Sequence, residues 1–251
     1  MESPYPWSKY NISISPDYFP EILIYFPDEL KQTTNKDLQI YKGNIYPHWE
    51  MNEAIYHICF RLNDSIAQER LYLYLQEKER ISASPKDLSQ KEKFLKRFLL
   101  SQKFDKLLNA GHGYCFFRKP DIAREMQSIL LGRNHKRYVL HAWCIMPNHI
   151  HIIMQPLPGQ TIASILQEWK SYSSHIINKL CNHTGSVWHK DSYNRVIRSY
   201  REYIRQINYV WNNPEKGKLQ NYPWRWAWNH ADEMEGLYQQ AKQELPDELK
   251  F

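Results

Sequence analysis

Two histidines one residue apart, His149 and His151, are a first sign of chemistry in this sequence of 251 residues. They open a β-branched, apolar run to Met154 that predicts a strand. Because side chains alternate between the faces of a strand, both imidazoles point to one side and Ile150 points to the other, into the core. Two neutral imidazoles on one face have the nitrogen donors to bind one metal ion. Two exposed histidines without a ligand are the alternative on this pattern alone.

A second pair, Tyr209 and Asn213, lies four residues apart in the segment 202–213, which predicts a helix stopped by Pro214. Residues four apart share one face of a helix. That face would bring a phenol, which is a nucleophile, beside a carboxamide oxygen, which is a metal ligand. On spacing alone, one of 18 tyrosines packing a helix and an asparagine capping its end explain the pair better.

The elements that must position these side chains follow from hydrophobic periodicity and turn residues. We expect a strand at 54–62, a helical excursion at 66–108, a short strand at 114–118 and a helix at 120–132. A β-hairpin at 137–154, a helix at 161–180, a short strand at 196–198 and a helix at 202–213 should follow. This order predicts an α+β fold with a ferredoxin-like (split βαβ) antiparallel sheet and helices on one face. A helical insertion follows the first strand, and an added C-terminal helix carries the tyrosine.

The charge distribution favours a polyanionic partner. The chain carries a net charge of +6, and residues 133–229 hold 13 Lys and Arg against 4 Asp and Glu, a net of +9. A local positive surface of that kind suits nucleic acid, although a solvated basic face explains the charge equally well. The organisation we predict is an N-terminal extension at 1–45, one domain at 46–229 and an acidic C-terminal tail at 230–251.

The cysteines and the apolar runs indicate the compartment. None of the 4 cysteines forms a C-x-x-C pair, so we expect reduced, buried thiols in a reducing cytosol. No apolar run approaches the length of a membrane span, and the N-terminus has no secretory pattern. We therefore expect a cytoplasmic protein without contact to a membrane.

The run Ala142-Trp-Cys-Ile-Met-Pro-Asn-His-Ile-His151 resembles the signature of the HUH tyrosine transposases, where U is a bulky apolar residue, and best that of the REP-associated tyrosine transposases. Further motifs agree in the same order: Tyr46-Pro-His-Trp-Glu50, Cys59-Phe-Arg-Leu-Asn-Asp-Ser65, Gly111-His-Gly-Tyr-Cys115, Glu168-Trp-Lys-Ser-Tyr172, Val187-Trp188, Val196-Ile-Arg198, Tyr209-Val-Trp-Asn-Asn-Pro214 and Asn221-Tyr-Pro-Trp224. The resemblance covers about residues 46 to 228. The chain departs from the family's N-P-v-k-A-G-L pattern at Asn213-Pro-Glu-Lys-Gly-Lys-Leu219, which concerns DNA specificity more than chemistry.

The resemblance implies the chemistry of a transposase. Tyr209 would attack a DNA phosphate, with His149, His151 and Asn213 as ligands of Mg²⁺ or Mn²⁺. The product would be a 5′-phosphotyrosine link, and the substrate single-stranded DNA with an imperfect hairpin, such as a repetitive extragenic palindrome. The resemblance also favours a monomer acting in cis, with a dimer possible. It implies a protein of the bacterial cytosol that is associated with the nucleoid.

Basic and aromatic side chains in the same stretch are candidates for contact with phosphates and unpaired bases. They are Arg195, Arg198, Arg201, Arg205, Lys170, Lys190, Trp188 and Trp211. For the two tryptophans core packing is the stronger alternative, and Lys170 more readily supports its helix. We expect hydrogen-bonded structural roles for four further histidines, His57, His112, His141 and His189.

Two other functions compete with strand transfer. A binding module derived from a transposase would grip hairpin DNA or RNA without cutting it. A metal-dependent hydrolase would use a metal-bound water and would keep cleaving after Tyr209→Phe; the sequence shows none of the extra carboxylates that such a site usually has near its histidines.

Overall fold

The computed structural model describes residues 39–42, 47–50, 54–83, 89–198 and 200–228. The predicted acidic tail, 230–251, lies outside the described residues, as does most of the predicted extension. Two short strands, β1 (Gln39–Lys42) and β2 (Pro47–Glu50), pair antiparallel as a separate two-stranded sheet. The boundary predicted at residue 45 therefore falls between two paired strands.

A five-stranded antiparallel sheet forms the centre of the domain. Its strands are β3 (Tyr56–Leu62), β4 (Tyr138–Met146), β5 (His149–Pro156), β6 (Trp188–Val196) and β7 (Arg225–Ala227). The spatial order is β6-β3-β5-β4-β7, in which the first four strands form the split βαβ unit and β7 extends the edge beside β4. The predicted α+β class with an antiparallel sheet is confirmed.

Within the described residues the helices are α1 (Gln68–Ser82), α2 (Gln90–Asn109), α3 (Pro120–Gly132), α4 (Ile162–Cys181), α5 (Tyr200–Trp211) and the short α6 (Asn213–Lys216). The first two form the predicted insertion after β3. α2 begins with a capping box, in which Ser89 and Glu92 satisfy each other's backbone N–H groups. No helix in the described part of the chain is long and apolar enough to cross a membrane.

Two predicted strands are wrong in place or type. The stretch 114–118 contains a 3-10 helix, Phe116–Arg118, because Cys115 has a φ of 48° and turns the chain out of the extended conformation. The strand predicted at 196–198 lies earlier, as β6. β6 is an edge strand with only three buried positions, so its sequence lacks the apolar alternation that marks a half-buried strand.

The sheet separates two differently covered faces. On one face, the Trp169 ring of α4 lies 6.3 Å from that of Phe60, and α3 packs beside α4. Phe60 is paired with Ile150 and Cys59 with His151, so the histidine side chains point to the opposite face. α5 covers that opposite face, and its Tyr209 ring contacts His151.

The helix predicted at 202–213 is interrupted near its end. α5 ends at Trp211, and Pro214 lies in the first turn of α6, where its missing N–H is no loss. The Asn212 N–H still bonds to the Asn208 carbonyl at 3.0 Å, so the helical path continues across the junction. Tyr209 and Asn213 therefore lie on two consecutive helices and remain one turn apart.

Strand β7 holds the end of α5 in place. The Arg225 Nη1 donates to the Trp211 carbonyl at 2.7 Å, and the guanidinium lies 4.2 Å from the centroid of the Trp211 ring. The same nitrogen also bonds to Glu215 at 2.6 Å. An arginine from the sheet edge thus fixes the junction between the two C-terminal helices.

Candidate active site

His149 and His151 project from β5 under α5, and both side chains are buried. Their ring centroids lie 5.0 Å apart, with the ring planes at 85°. The strand's alternation therefore brings both imidazoles to one side, which is the arrangement that the spacing predicts.

Asn148, in the turn between β4 and β5, fixes the tautomer of His149. The Asn148 Nδ2 is directed at the carbonyls of Ser65, Leu108 and His112, at 3.3, 3.2 and 3.1 Å. Its Oδ1 therefore faces His149 Nδ1 at 2.8 Å, and this nitrogen must donate. The lone pair of His149 is left on Nε2, which is buried without a hydrogen-bond partner among the described residues. A ring held in this way is oriented for a metal ion.

A third histidine, His57 of β3, belongs to the same cluster. Its Nε2 lies 3.2 Å from His151 Nδ1, and its ring centroid is 5.5 Å from that of Tyr209. We expected His57 to be a hydrogen-bonded structural residue, and it does bond to His151, but within the site. Its place on the same face of β3 as Cys59, the partner of His151, was a signal available once β3 and β5 were paired.

Burial keeps the imidazoles neutral. It lowers the pKa of His149 to about 3, and burial together with the charges of Arg195 and Lys216 lowers the pKa of His57 to about 3. Burial, followed by the two neighbouring histidines, also lowers the pKa of His151 well below its ordinary value. Neutral rings retain the lone pairs that metal binding requires.

Tyr209 packs edge-on against the histidines. Its ring centroid lies 5.5 Å from that of His151, with an interplanar angle of 85°. Burial is the main cause that raises the pKa of the phenol, and the charge of the Asp105 carboxylate is the next. In the resting site the phenol is therefore neutral, and it needs a proton acceptor to become a nucleophile.

Asp105 of α2 and Lys216 of α6 reach the site although neither appears among the residues predicted from sequence. The Lys216 ammonium lies 3.7 Å from the centroid of the Tyr209 ring and interacts electrostatically with Asp105. No local pattern marks either residue, because their proximity is a consequence of how α2 and α6 pack.

Asn213 carries an amide oxygen of the type that suits a divalent cation. Its side chain is buried, Nδ2 donates to the Tyr209 carbonyl at 3.1 Å, and Oδ1 has no hydrogen-bond partner among the described residues. In that part of the chain no three His, Cys, Asp or Glu side chains are grouped to hold a metal. The unpartnered Oδ1 of Asn213 is an oxygen ligand of the kind that a divalent cation accepts.

The predicted DNA-binding arginines differ in their surroundings. Arg195 donates to Glu202 at 2.6 Å, and the Arg198 backbone N–H donates to the same carboxylate at 3.0 Å. Arg205 is exposed, and the side chain of Arg201 lies outside the described residues. Glu202 thus ties β6 to the start of α5, while contacts of these arginines with DNA stay predictions.

The remaining predicted contacts are of two kinds. Lys190 is exposed, whereas the Lys170 ammonium donates to the carbonyls of His189 and Lys190 at 2.9 and 3.2 Å, which fits a structural role. Trp188 is buried and donates to Ser173 at 2.8 Å, and Trp211 is buried under Arg225. The packing alternative describes both tryptophans better than stacking on bases does.

Comparisons with known proteins show that the chain is similar to transposases. A family model of IS200-like transposases matches residues 116–212, which include both β5 histidines and Tyr209. The REP-associated tyrosine transposase of Escherichia coli (strain K12) is 24% identical over 114 residues, 44% of this chain and 66% of that protein. The match thus spans just under two thirds of that relative's length. The predicted resemblance to REP-associated tyrosine transposases is confirmed.

A solved structure of a REP-associated tyrosine transposase bound to a REP hairpin is also similar. It aligns with a TM-score of 0.39 and 16% identity, covering 68% of this chain and 72% of that one.

Proposed function

We propose that this chain cleaves single-stranded DNA at hairpins and joins the ends again, as a metal-dependent transposase with Tyr209 as the nucleophile. The observation that carries the proposal is the contact between Tyr209 and His151, whose ring centroids lie 5.5 Å apart within one chain. Two further atoms support it: His149 Nε2 and Asn213 Oδ1 are both buried, and neither has a hydrogen-bond partner among the described residues.

His149, His151 and Asn213 are the proposed ligands of a divalent cation. Bound there, Mg²⁺ or Mn²⁺ would polarise the scissile phosphate and stabilise charge in the transition state. The two imidazoles favour Mn²⁺, whereas Mg²⁺ is the common ion of phosphate chemistry. The hydrogen bond from His149 to Asn148 orients one ligand in advance.

Tyr209 would form the covalent intermediate. Its oxygen attacks the phosphorus, the 3′-oxygen leaves, and the DNA is held by a 5′-phosphotyrosine link. This link retains the energy of the broken bond, so the 3′-hydroxyl of another end can reverse the step without ATP. Because Tyr209 meets the histidines of its own chain, the geometry supports action in cis by a monomer.

The proposed substrate is hairpin DNA of the palindromic, REP-like kind. The name of the E. coli relative and the net charge of +9 over residues 133–229 support it. Arg198, Arg205 and Lys190, which lie at the surface near β6 and α5, are the best placed of the predicted phosphate contacts.

The test is formation of a covalent protein–DNA adduct. A 5′-end-labelled or 3′-end-labelled hairpin strand is incubated with the protein and Mn²⁺, then separated under denaturing conditions. We expect an adduct that carries the 3′ part of the strand, that is lost in Tyr209→Phe and that needs the metal. The matched control is Tyr172→Phe on α4, where the side chain is exposed and remote from the histidines.

The alternatives predict different results. Cleavage that survives Tyr209→Phe would indicate a hydrolase with a metal-bound water. Strong hairpin binding without cleavage, unchanged in His149→Ala and Tyr209→Phe, would indicate a binding module.

A further inference from the structure

The imidazole of His57 is buried in the centre of the sheet, beside one of the two histidines of β5. Its Nε2 lies 3.2 Å from His151 Nδ1, and both side chains are buried. His57 belongs to β3, outside the stretch matched by the transposase family model. A buried polar group is unfavourable unless it is hydrogen-bonded, so the bond to His151 stabilises an imidazole at this position.

Strand pairing accounts for the approach of the two rings. Cys59 is the Cα partner of His151, and His57 lies two residues before Cys59 on the same face of β3. His57 and His151 are therefore diagonal neighbours across an antiparallel pair, a separation that long and aromatic side chains can bridge. Their ring centroids lie 5.4 Å apart. Because β3 is paired with β5 on one side and β6 on the other, a shift of His57 would disrupt the centre of the sheet.

Two tyrosine rings hold the imidazole of His57 in this orientation. The Tyr193 ring, on β6, makes an edge-to-face contact with it at a centroid distance of 5.6 Å and an interplanar angle of 79°. The Tyr209 ring, on α5, does the same at 5.5 Å and 65°. With His151 as a third neighbour, the ring is contacted from β5, β6 and α5, which fixes the direction of its Nε2.

The hydrogen bond between the two histidines involves a single proton. A neutral imidazole has one N–H group and one bare nitrogen, so one ring donates and the other accepts. His151 Nδ1 faces His57, which leaves Nε2 as the His151 nitrogen for a metal ion. Nε2 is bare only if Nδ1 carries the proton and donates it to His57. Metal-binding histidines generally have this arrangement, in which the second ring nitrogen donates to a neighbouring acceptor.

We propose that His57 is the positioning residue of His151: its Nε2 accepts the Nδ1–H of His151 and so keeps His151 Nε2 bare and oriented for the divalent cation. The inference rests on the proposed function, because it concerns a proposed metal ligand. Asn148 has the corresponding role for His149, whose Nδ1 lies 2.8 Å from Asn148 Oδ1. The two imidazoles thus have different acceptors, an amide from the β4–β5 turn and an imidazole from β3.

The first test is the tautomer of His151 in the metal-free full chain, read from nitrogen-15 NMR of protein labelled at histidine. We expect a protonated Nδ1 and a bare Nε2 on His151, and a bare Nε2 on His57. The signals are assigned by their absence in His151→Gln and in His57→Gln. A His151 ring that carries its proton on Nε2 overturns the proposal.

The second test is the Mn²⁺ affinity of two uncharged variants, measured by calorimetric titration. His57→Leu removes the acceptor, and we expect the affinity to fall by about 10- to 100-fold. His57→Gln places an amide oxygen close to the position of Nε2 and should stay within about threefold of wild type, because the acceptor is retained. An unchanged affinity in His57→Leu overturns the proposal, and so does an equal loss in both variants.

Adduct formation separates positioning from a direct part in the reaction. His57→Leu should need about 10- to 100-fold more Mn²⁺ for half of its maximal rate, and that maximal rate should be close to wild type. A lower maximal rate with an unchanged Mn²⁺ requirement overturns the proposal. The matched control is His141→Leu, which removes another buried imidazole, bonded to the Tyr203 hydroxyl at 2.7 Å, and should keep the wild-type Mn²⁺ affinity.

Failure of the proposed function gives a different result. A wild-type chain that binds no Mn²⁺ contradicts the proposed function and removes this inference with it. Wild-type binding and adduct formation, together with equal Mn²⁺ affinity in His57→Leu, contradict this inference alone. If His57→Leu fails to fold, the tautomer of His151 in the wild type and the Mn²⁺ affinity of His57→Gln still decide.

Discussion

Asn148 stabilises the turn between β4 and β5 and also orients the neighbouring His149. Its amide nitrogen points at three backbone carbonyls, and its oxygen at His149 Nδ1. A side chain with both ends occupied cannot rotate without leaving buried polar groups unsatisfied. The imidazole is thereby held in the tautomer that presents Nε2, and the polar side chain of a turn sets the state of a metal ligand.

Replacing Asn148 by Ala should weaken metal binding and the fold together. We expect Mn²⁺ affinity to fall by about 10- to 100-fold, because an outer-shell partner is lost. The free energy of unfolding should fall by about 1–3 kcal/mol, because buried carbonyls lose their donor. Calorimetric Mn²⁺ titration and urea unfolding measure the two effects. Asn178→Ala is the control, since Asn178 makes the same kind of 2.8 Å bond to His183 away from the site. Equal Mn²⁺ affinity in wild type and Asn148→Ala would refute the role.

His141 should make stability depend on pH. Its ring is buried, with Nδ1 2.7 Å from the Tyr203 hydroxyl, and burial lowers its pKa to about 3. The unfolded chain binds this proton below about pH 6.5 and the folded chain does not, so stability falls as pH drops from that value towards 3. One such group contributes at most about 1.4 kcal/mol per pH unit. His141→Gln should therefore flatten the dependence seen by urea unfolding at several pH values, and an unchanged slope would contradict this assignment.

At the scale of elements, the sequence predicts those helices and strands whose formation depends on residues close together in the chain. Helix-forming composition marked the α1–α2 insertion, and alternation marked the β4–β5 hairpin with its two histidines. The position predicted for edge strand β6 is wrong because only three of its positions are buried, so its sequence lacks apolar alternation. The approach of α2 to Tyr209 and of His57 to His151 left no local pattern at all. Both depend on pairing between segments far apart in the chain, which periodicity does not encode.

The loop after α2 offers a prediction about backbone conformation. Gly113 has a φ of 87°, and a Cβ on this residue would lie 2.5 Å from the carboxyl carbon of Asp64. The Asp64 carboxylate is held in place because it accepts a hydrogen bond from the Tyr114 N–H. Gly113→Ala should lower the free energy of unfolding by more than the ~1–2 kcal/mol cost of a left-handed alanine. Gly159→Ala is the control, because Gly159 has a φ of 76° and open space around it, so only the conformational cost applies. Equal losses in urea unfolding would mean that the loop shifts to relieve the clash.

For the whole molecule, charge placement sets how DNA would approach. The net charge of +9 over residues 133–229 exceeds the total of +6, so the rest of the chain is acidic. Glu202 neutralises part of the basic surface, since it pairs with Arg195 at 2.6 Å and with Arg198 at 3.9 Å. The side chains of Arg198 and Arg205 are nevertheless exposed to solvent. Composition alone predicted the basic character, but which arginines pair internally depends on the junction of β6 with α5.

Hairpin binding should therefore be salt-dependent through particular arginines. Arg198→Ala and Arg205→Ala should each weaken binding and reduce the slope of log affinity against log salt by about 1. Fluorescence anisotropy with a labelled hairpin at several salt concentrations measures this. Arg133→Ala removes the same charge beside Glu168 of α4, on the other side of the sheet, and should leave the slope unchanged. If Arg198→Ala, Arg205→Ala and Arg133→Ala all gave the same slope, the DNA would not bind at the surface that carries Arg198 and Arg205.

The contacts of Arg225 with the end of α5 have a consequence for fragments of the protein. A fragment that stops with the recognisable transposase motif would keep Tyr209 and the β5 histidines, yet it would lose Lys216 and the clamp that fixes Trp211. A fragment that begins at residue 116, where the matched stretch begins, would lose His57 and Asp105. A fragment that retains the whole candidate site must therefore extend from β3 through β7, because the residues around the site come from a longer stretch of chain than the transposase motif.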